Sequence, residues 1–341
     1  MRRRDFTKAV LGASSALACP ALIRPAAAEV TAIRLGKQYG LPYLPLMVME
    51  RHKLVEKHAG QAGLASLAIE WATMGGPGAL TDALLTRSFD FVVVAAPTLA
   101  TLWDKTAGTA QEIKGVSAVQ SMPYLLVTRN PDIRSIADFT DKDRIAVPTA
   151  KISSQAISLE IAAAKLWGFD QYERLDPLTV TLPHPDAVAA LLSGKSEVNS
   201  HYAVAPFQFY ELKSPALHGV LKSYDTFGGK HANGLLLASK RFSDENPKIC
   251  AAVLKAQEEA NALINADAHG AAEIYIAMSG DRTSSVDEIA KMVADPDVDY
   301  TTTPAKVMDF AGFMHKVGRI KRLPASWKDY FFPAVHDLKG S

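Results

Sequence analysis

The chain has 341 residues, 48% hydrophobic and 21% charged, with a formal net charge of +1. This is the composition of an ordinary globular protein of about two domains. A near-neutral balance excludes a general nucleic-acid binder, which would show a strongly basic surface.

The first element is a leader. "MRRRDFTKAVLGASSALACPALIRPAAAEV" opens with Arg2, Arg3, Arg4 and Lys8, continues through a short apolar stretch and ends in Ala26-Ala27-Ala28. A basic start, a short apolar run and an Ala-x-Ala site predict a secretory signal, residues 1–28, cleaved after Ala28. The run is too short and too rich in small residues to span a membrane stably. "RRRDFTK" resembles the twin-arginine export motif; a general secretory signal with extra arginines is the alternative. Cleavage removes five basic residues and one acid, which turns the net charge slightly negative. It also removes Cys19 and leaves Cys250 as the one cysteine, so no internal disulfide can form. "SALAC" loosely fits a lipobox, so lipid anchoring at Cys19 stays open as the second reading. No transmembrane segment is predicted after Ala28.

Strands and helices then alternate. "VTAIRLG" (30–36) reads as a strand running into the Gly/Pro turn "KQYGLPYLP", and "LASLAIEWATM" (64–74) as a strand stopping at Gly75-Gly76-Pro77. "FDFVVVAA" is continuously apolar, as for a strand covered on both faces. The order restarts with "YLLVTRN" (124–130) and a capping box from Ser135 to Asp138. A strand, the helix "SSQAISLEIAAAKLWG", the strand "LTVTLP", the helix "PDAVAALLSG" and the strand "EVNSHYAVAP" follow. The two halves resemble each other: residues 83–90 align with 190–197 without a gap, and each acid precedes a strand ending at a proline, Pro97 or Pro206. After residue 225 come the strand "NGLLLASKRF" and a helical tail, with Asn246 as an N-cap before Pro247 and a capping box from Ser285 to Glu288. Alternation of this kind predicts an α/β protein with mainly parallel sheets.

The stretches "YLPLMVMERHKLVEKHAG", "GGPGALTDALLTRSFDFVVVAAP", "PYLLVTRNPDIRSIADFTDKDRIAVPTAKISSQAISLEIAAAKLWG", "PHPDAVAALLSGKSEVNSHYAVAPF" and "ENPKICAAVLKA" together resemble the periplasmic binding proteins of ABC importers, of the nitrate/sulfonate/taurine type. The superfamily also holds thiamine-pyrimidine synthases. The resemblance implies a two-lobed, type II binding-protein fold. Each lobe would be a mainly parallel sheet flanked by helices, and the helical tail would sit on the first lobe. It implies a first lobe of residues 30–123 plus 224–341, a second of 124–223 and a hinge near 121–126 and 221–228. It further implies a cleft that closes on a ligand, an ABC permease with its ATPase as partners, a monomer, and no cofactor.

In open α/β sheets ligands sit beyond the carboxyl ends of the strands. That rule selects Gln38 and Tyr39, then Gly75, Gly76 and Pro77, then Ala95, Ala96, Pro97 and Thr98 in the first half. In the second half it selects Ser153, Ser154 and Gln155 and the end of the strand "EVNSHYAVAP"; Phe227 lies near the return crossover. Ser153-Ser154 opens a long helix, whose free N–H groups suit an anion; a plain serine cap is the alternative. Glycines at 75 and 76 admit close backbone approach or form a tight turn. Tyr39 and Tyr124 offer aromatic walls with polar tips. Asn199, His201 and Tyr202 put polar groups in a strand expected to be apolar. Strand alternation sets Asn199 and His201 on one face and Ser200 and Tyr202 on the other. A cationic His201 with a raised pKa, holding an anionic ligand, is the expectation.

Enzyme motifs are missing: there is no His-Glu-x-x-His, Cys-x-x-Cys or Gly-x-Ser-x-Gly, and the nine histidines are scattered without metal-ligand spacing. The expected function is extracytoplasmic capture of a small organic anion, sulfonate- or taurine-like or a carboxylate. An exported enzyme or a sensor partner on the same fold is the alternative.

Overall fold

The computed structural model describes residues 28–64 and 66–341. The expected leader, its twin-arginine stretch and Cys19 lie outside the described residues. No helix among the described residues is long and apolar enough to cross a membrane.

Two five-stranded sheets form the frame. The first contains β1 (Ala32–Lys37), β2 (Ala68–Thr73), β3 (Phe91–Val94), β4 (Ile113–Ser121) and β10 (Ala232–Ser239), in the order β2-β1-β3-β10-β4. The second contains β5 (Leu125–Thr128), β6 (Ile145–Val147), β7 (Thr179–Thr181), β8 (Ser200–Ala203) and β9 (His218–Lys222), in the order β7-β6-β8-β5-β9. Each keeps a parallel trio, β2-β1-β3 or β7-β6-β8, as the alternating pattern implies. In each sheet one strand, β10 or β5, runs antiparallel to both of its neighbours, which makes both sheets mixed. β3 and β8 therefore hold the same place in the two sheets, in line with the repeat in the sequence.

The chain passes from the first sheet to the second between β4 and β5 and returns between β9 and β10. The two passages are tied together: Ser223 N–H donates to Tyr124 O at 3.0 Å, and Tyr124 N–H to Ser223 Oγ at 2.9 Å. β4 is a strand the sequence pattern does not reveal. Its Ser117, Gln120 and Ser121 are buried, so apolar and polar residues do not alternate along it. Ser117 is satisfied by donating to Gln257 Oε1 at 2.6 Å.

One helix joins the two lobes. Ser154–Trp167 starts at Ser153, whose Oγ accepts from Ala156 N–H at 3.3 Å, and ends at Gly168, where φ is 97°. Its Ala156, Leu159 and Ala162 pack into the second lobe's core, while Ile157, Ile161 and Ala164 pack into the first lobe's. Burial on two sides fixes the start of this helix at the seam. Both predicted capping boxes, at Ser135 and Ser285, are present. Asn246 does precede the helix Pro247–Ala266, but its side chain does not cap it. Nδ2 donates to Phe242 O at 3.0 Å and Oδ1 accepts from Val30 N–H at 2.9 Å, so Asn246 ties the helix to the first strand region instead.

Candidate functional site

The segments that follow the parallel strands converge on the seam. After β1 come Gln38 and Tyr39; after β3, Ala95; after β6, Pro148 and then Ser153-Ser154-Gln155; after β7, His184; after β8, Val204. All of them line a narrow cavity of ≈ 30 Å³, with Pro77, Thr98 and Asn233 among the remaining walls. Ala95 and Val204 are the residues next after β3 and β8, so the repeat brings one matched residue from each lobe to the same cavity. A larger cavity of ≈ 670 Å³ shares Gln38 and Tyr39 and adds the aromatic walls Trp71, Phe207, Tyr210 and Tyr275.

Among the described residues that line the narrow cavity, none is an Asp, Glu, Lys or Arg. Its polarity comes from dipoles. The helix Ser154–Trp167 starts there, and the amides of Ser154 and Gln155 have no intrahelical partner. Two further groups were not legible as a pair in the sequence. Thr98 Oγ1 and Asn233 Nδ2 are buried and have no hydrogen-bond partner within the protein. An unpaired buried polar atom costs about 1–3 kcal/mol, so two at one cavity mark groups left for a ligand or water to complete.

Of the residues selected from the sequence, Gln38, Tyr39, Pro77, Ser153, Ser154 and Gln155 come together at the cavity wall. Ala96 and Pro97 do not line it; their neighbours Ala95 and Thr98 do, because the helix Ala96–Thr106 turns the first two positions away. Gly75 and Gly76 belong to the contact between lobes. A Cβ on Gly76 would lie 2.8 Å from Pro148 O and 2.9 Å from Thr149 Oγ1, and one on Gly75 would lie 3.3 Å from the Pro183 ring. Phe227 faces elsewhere, packed against His231 and Phe310 with ring centroids 4.7 and 4.5 Å away. Tyr124 and Tyr202 are core residues, fully buried and edge-to-face at 5.9 Å, with Tyr202 Oη 3.1 Å from Ser158 Oγ.

The strand "EVNSHYAVAP" differs most from expectation. Its polar run begins just before β8 and fills the strand as far as Tyr202; β8 ends at Ala203, and Val204 after it meets the cavity. Asn199 is a bracket at the far end: Oδ1 accepts from Arg144 N–H at 3.1 Å, and Nδ2 donates to Asp143 Oδ1 at 2.6 Å. Asp90 does the same before β3, accepting from Arg34 N–H at 2.8 Å. His201 is fully buried behind His184, with Nε2 2.7 Å from His184 Nδ1 and Nδ1 2.5 Å from Glu211 Oε1. Burial lowers its pKa to about 3, opposite to the expected rise, and His201 is not among the cavity's walls. The wall residue is His184, which precedes the predicted helix "PDAVAALLSG" and was not selected from the sequence. Burial, and then the neighbouring His201, push its imidazole well below the usual range.

A second polar contact crosses between the tail and the second lobe. Arg319 donates to Glu160 Oε1 at 2.5 Å and lies 3.4 Å from Asp176 Oδ2, and both acids are buried. On another face of the seam Tyr210 donates to Asp281, and Lys213 pairs with Glu288 at 2.8 Å. Lys151 turns away from the cavity, with Nζ 4.0 Å from Asp176 Oδ2.

No family model and no curated protein sequence matches the chain. Solved structures do. The chain is similar to the alkanesulfonate-binding protein SsuA of Xanthomonas axonopodis pv. citri bound to MOPS, at 20% identity and a TM-score of 0.67, over 87% of this chain and 96% of that one. The fold is that of the periplasmic binding proteins. Other structures with this binding-protein fold are the periplasmic aliphatic sulphonate binding protein of Escherichia coli (18% identity, TM-score 0.62, 89% and 92% covered) and the nitrate-binding protein NrtA of Synechocystis (16%, 0.64, 89% and 84%). They are of the type that the sequence stretches resemble. The narrow cavity is lined by residues that follow strands of both sheets.

Proposed function

We propose that the chain is an extracytoplasmic solute-binding protein that captures a small organic anion between its lobes and presents the closed form to an ABC permease and its ATPase. The observation that carries this reading is the pair of unpartnered buried atoms, Thr98 Oγ1 and Asn233 Nδ2, on a cavity that also receives a helix N-terminus. The anionic head sits in the narrow cavity, held by these groups with Gln38, Ser153, Ser154 and Gln155. The body of the ligand lies toward Tyr39, Trp71 and Phe207 in the larger cavity, which favours an organic anion over a bare inorganic ion. That SsuA and NrtA are sulfonate- and nitrate-binding proteins supports an anion. Residues 121–126 and 221–228 act as the hinge, the leader directs export, and the protein works as a monomer.

A thermal-shift panel of alkanesulfonates, taurine, small carboxylates and nitrate tests the reading. A ligand at about 100 times its Kd stabilises by roughly 2.7 kcal/mol, and mass spectrometry should recover it unchanged. No shift with any sulfonate or carboxylate, or chemical conversion of the ligand, overturns it.

A further inference from the structure

A buried chain of polar groups runs from the narrow cavity into the second lobe. Gln155 and His184 are cavity walls, whereas His201 and Glu211 are not. Gln155 Nε2 lies 3.3 Å from His184 Nε2, His184 Nδ1 lies 2.7 Å from His201 Nε2, and His201 Nδ1 lies 2.5 Å from Glu211 Oε1. Glu211, on the helix Phe207–Leu212, is fully buried, and its Oε2 has no partner.

A neutral imidazole has one N–H and one acceptor nitrogen, so all the protons of this chain must point the same way. Two orders exist. In the first, Glu211 is a carboxylic acid and donates O–H to His201 Nδ1. His201 Nε2–H then donates to His184 Nδ1, and His184 Nε2–H donates to the carbonyl oxygen of Gln155. The Gln155 NH₂ is left to face the cavity and Ser154 Oγ. In the second order every bond reverses. Gln155 donates to His184, His201 donates to a Glu211 carboxylate, and the Gln155 carbonyl faces the cavity, accepting from Ser154 Oγ at 3.3 Å. The two ends of an amide have the same shape, so both orders fit the same heavy-atom positions.

We propose that Glu211 is a positioning residue that, through His201 and His184, holds the donor face of Gln155 toward the cavity and so selects acceptor-rich anions. This rests on the reading of the cavity as an anion site and deepens it. Burial favours the first order. An ionised Glu211 would keep one oxygen without a donor, and among the described residues no lysine or arginine pairs with it. Its carboxyl is accordingly pushed up to about 9, and the His201 imidazole down to about 3. The first order also frees the Ser154 hydroxyl to donate, so both side chains at the helix start present N–H or O–H to a ligand.

¹⁵N NMR of the ligand-free protein reads the two histidines directly. The expected result is a proton on Nε2 and a bare Nδ1 in both His184 and His201. Protons on Nδ1 in both, or an imidazolium in either, overturns the proposal whether or not any ligand is known. Calorimetry with butane-1-sulfonate supplies the second arm. Glu211→Gln still offers an N–H to His201 Nδ1 and should keep Kd within about two-fold, while Glu211→Leu offers none and should raise Kd about ten-fold or more. Wild-type affinity in a folded Glu211→Leu variant also overturns it. If wild-type protein binds no sulfonate, the anion reading fails separately, and the tautomers still decide the relay.

Discussion

Gly76 and Pro148 meet across the seam so closely that a Cβ on the glycine would stand 2.8 Å from the proline's carbonyl oxygen. The glycine backbone is extended, with φ −174°, a conformation open to any residue. A side chain there is therefore excluded by the opposite lobe and not by local strain. Gly76→Ala should fold with unchanged stability but favour the open arrangement. The expected outcome is a ligand Kd raised about ten-fold, an apparent loss set by the closed fraction, and a larger radius of gyration in solution scattering with ligand present. Unchanged affinity would show that the seam does not have to close this tightly.

Thr98 carries a buried hydroxyl without a partner. Thr98→Val replaces that oxygen with a methyl of similar size, so the ligand-free protein loses nothing and can gain up to about 1 kcal/mol. Ligand affinity should fall about ten-fold. Thermal melts with and without ligand measure both signs at once, and a variant that binds normally would remove Thr98 from the site.

Arg319 holds two buried acids of the other lobe. Burial pushes the Glu160 carboxyl up to about 9, so Arg319→Gln lets it take a proton and should cost about 1.5–3 kcal/mol, the worth of the lost hydrogen bond between charged groups at 2.5 Å. Glu160→Gln in the same chain removes the stranded carboxyl and should restore most of the loss. Urea unfolding of the two single variants and the double variant checks it; additive losses would refute the coupling.

Glu211 makes stability depend on pH in a stated direction. Burial raises its folded pKa from the ordinary 4.5 to about 9. The acid thus binds its proton more tightly in the folded state. Its contribution is complete below the ordinary carboxylate value and is lost as pH rises toward about 9. The depressed His201 acts oppositely, but only below the ordinary imidazole value of 6.5. Between pH 6.5 and 9 melting temperature should fall in the wild type and stay flatter in Glu211→Gln. Parallel curves would argue against a protonated Glu211.

Ligand affinity, in contrast, should be flat from pH 6 to 8. Both His184 and His201 are held neutral by burial across that range. A cationic His201, as the sequence suggested, would make binding weaken as pH rises. Calorimetric Kd values at pH 6, 7 and 8 separate the two.

Much of the frame was legible in the sequence, because strands buried on both faces and well-capped helices announce themselves locally. "FDFVVVAA" became β3, and Ser153 capped the helix it was expected to cap. β4 stayed hidden because buried polar residues interrupt its apolar pattern; Ser117, for one, finds its partner far along the chain in Gln257. At the cavity, position after a strand was the useful signal: Gln38, Tyr39, Ser153, Ser154 and Gln155 all lie on its wall. It did not bring Asn199 or His201 to the wall, because Asn199 lies just before β8 and His201 in its buried middle. Nothing local marks Asn233 or His184, since an unpaired amide or a histidine at a wall is defined only by what surrounds it in space.

The absence of Asp, Glu, Lys and Arg from the narrow cavity's described walls has a consequence for where such a protein can work. Ion pairs at a surface fade as salt rises, since at about 0.15 M the screening length is already near 8 Å. A ligand gripped by amides, hydroxyls and a helix end inside a closed seam is shielded from that effect. If the proposed reading holds, the grip on the anionic head should therefore hold steady across media whose ionic strength the cell does not control.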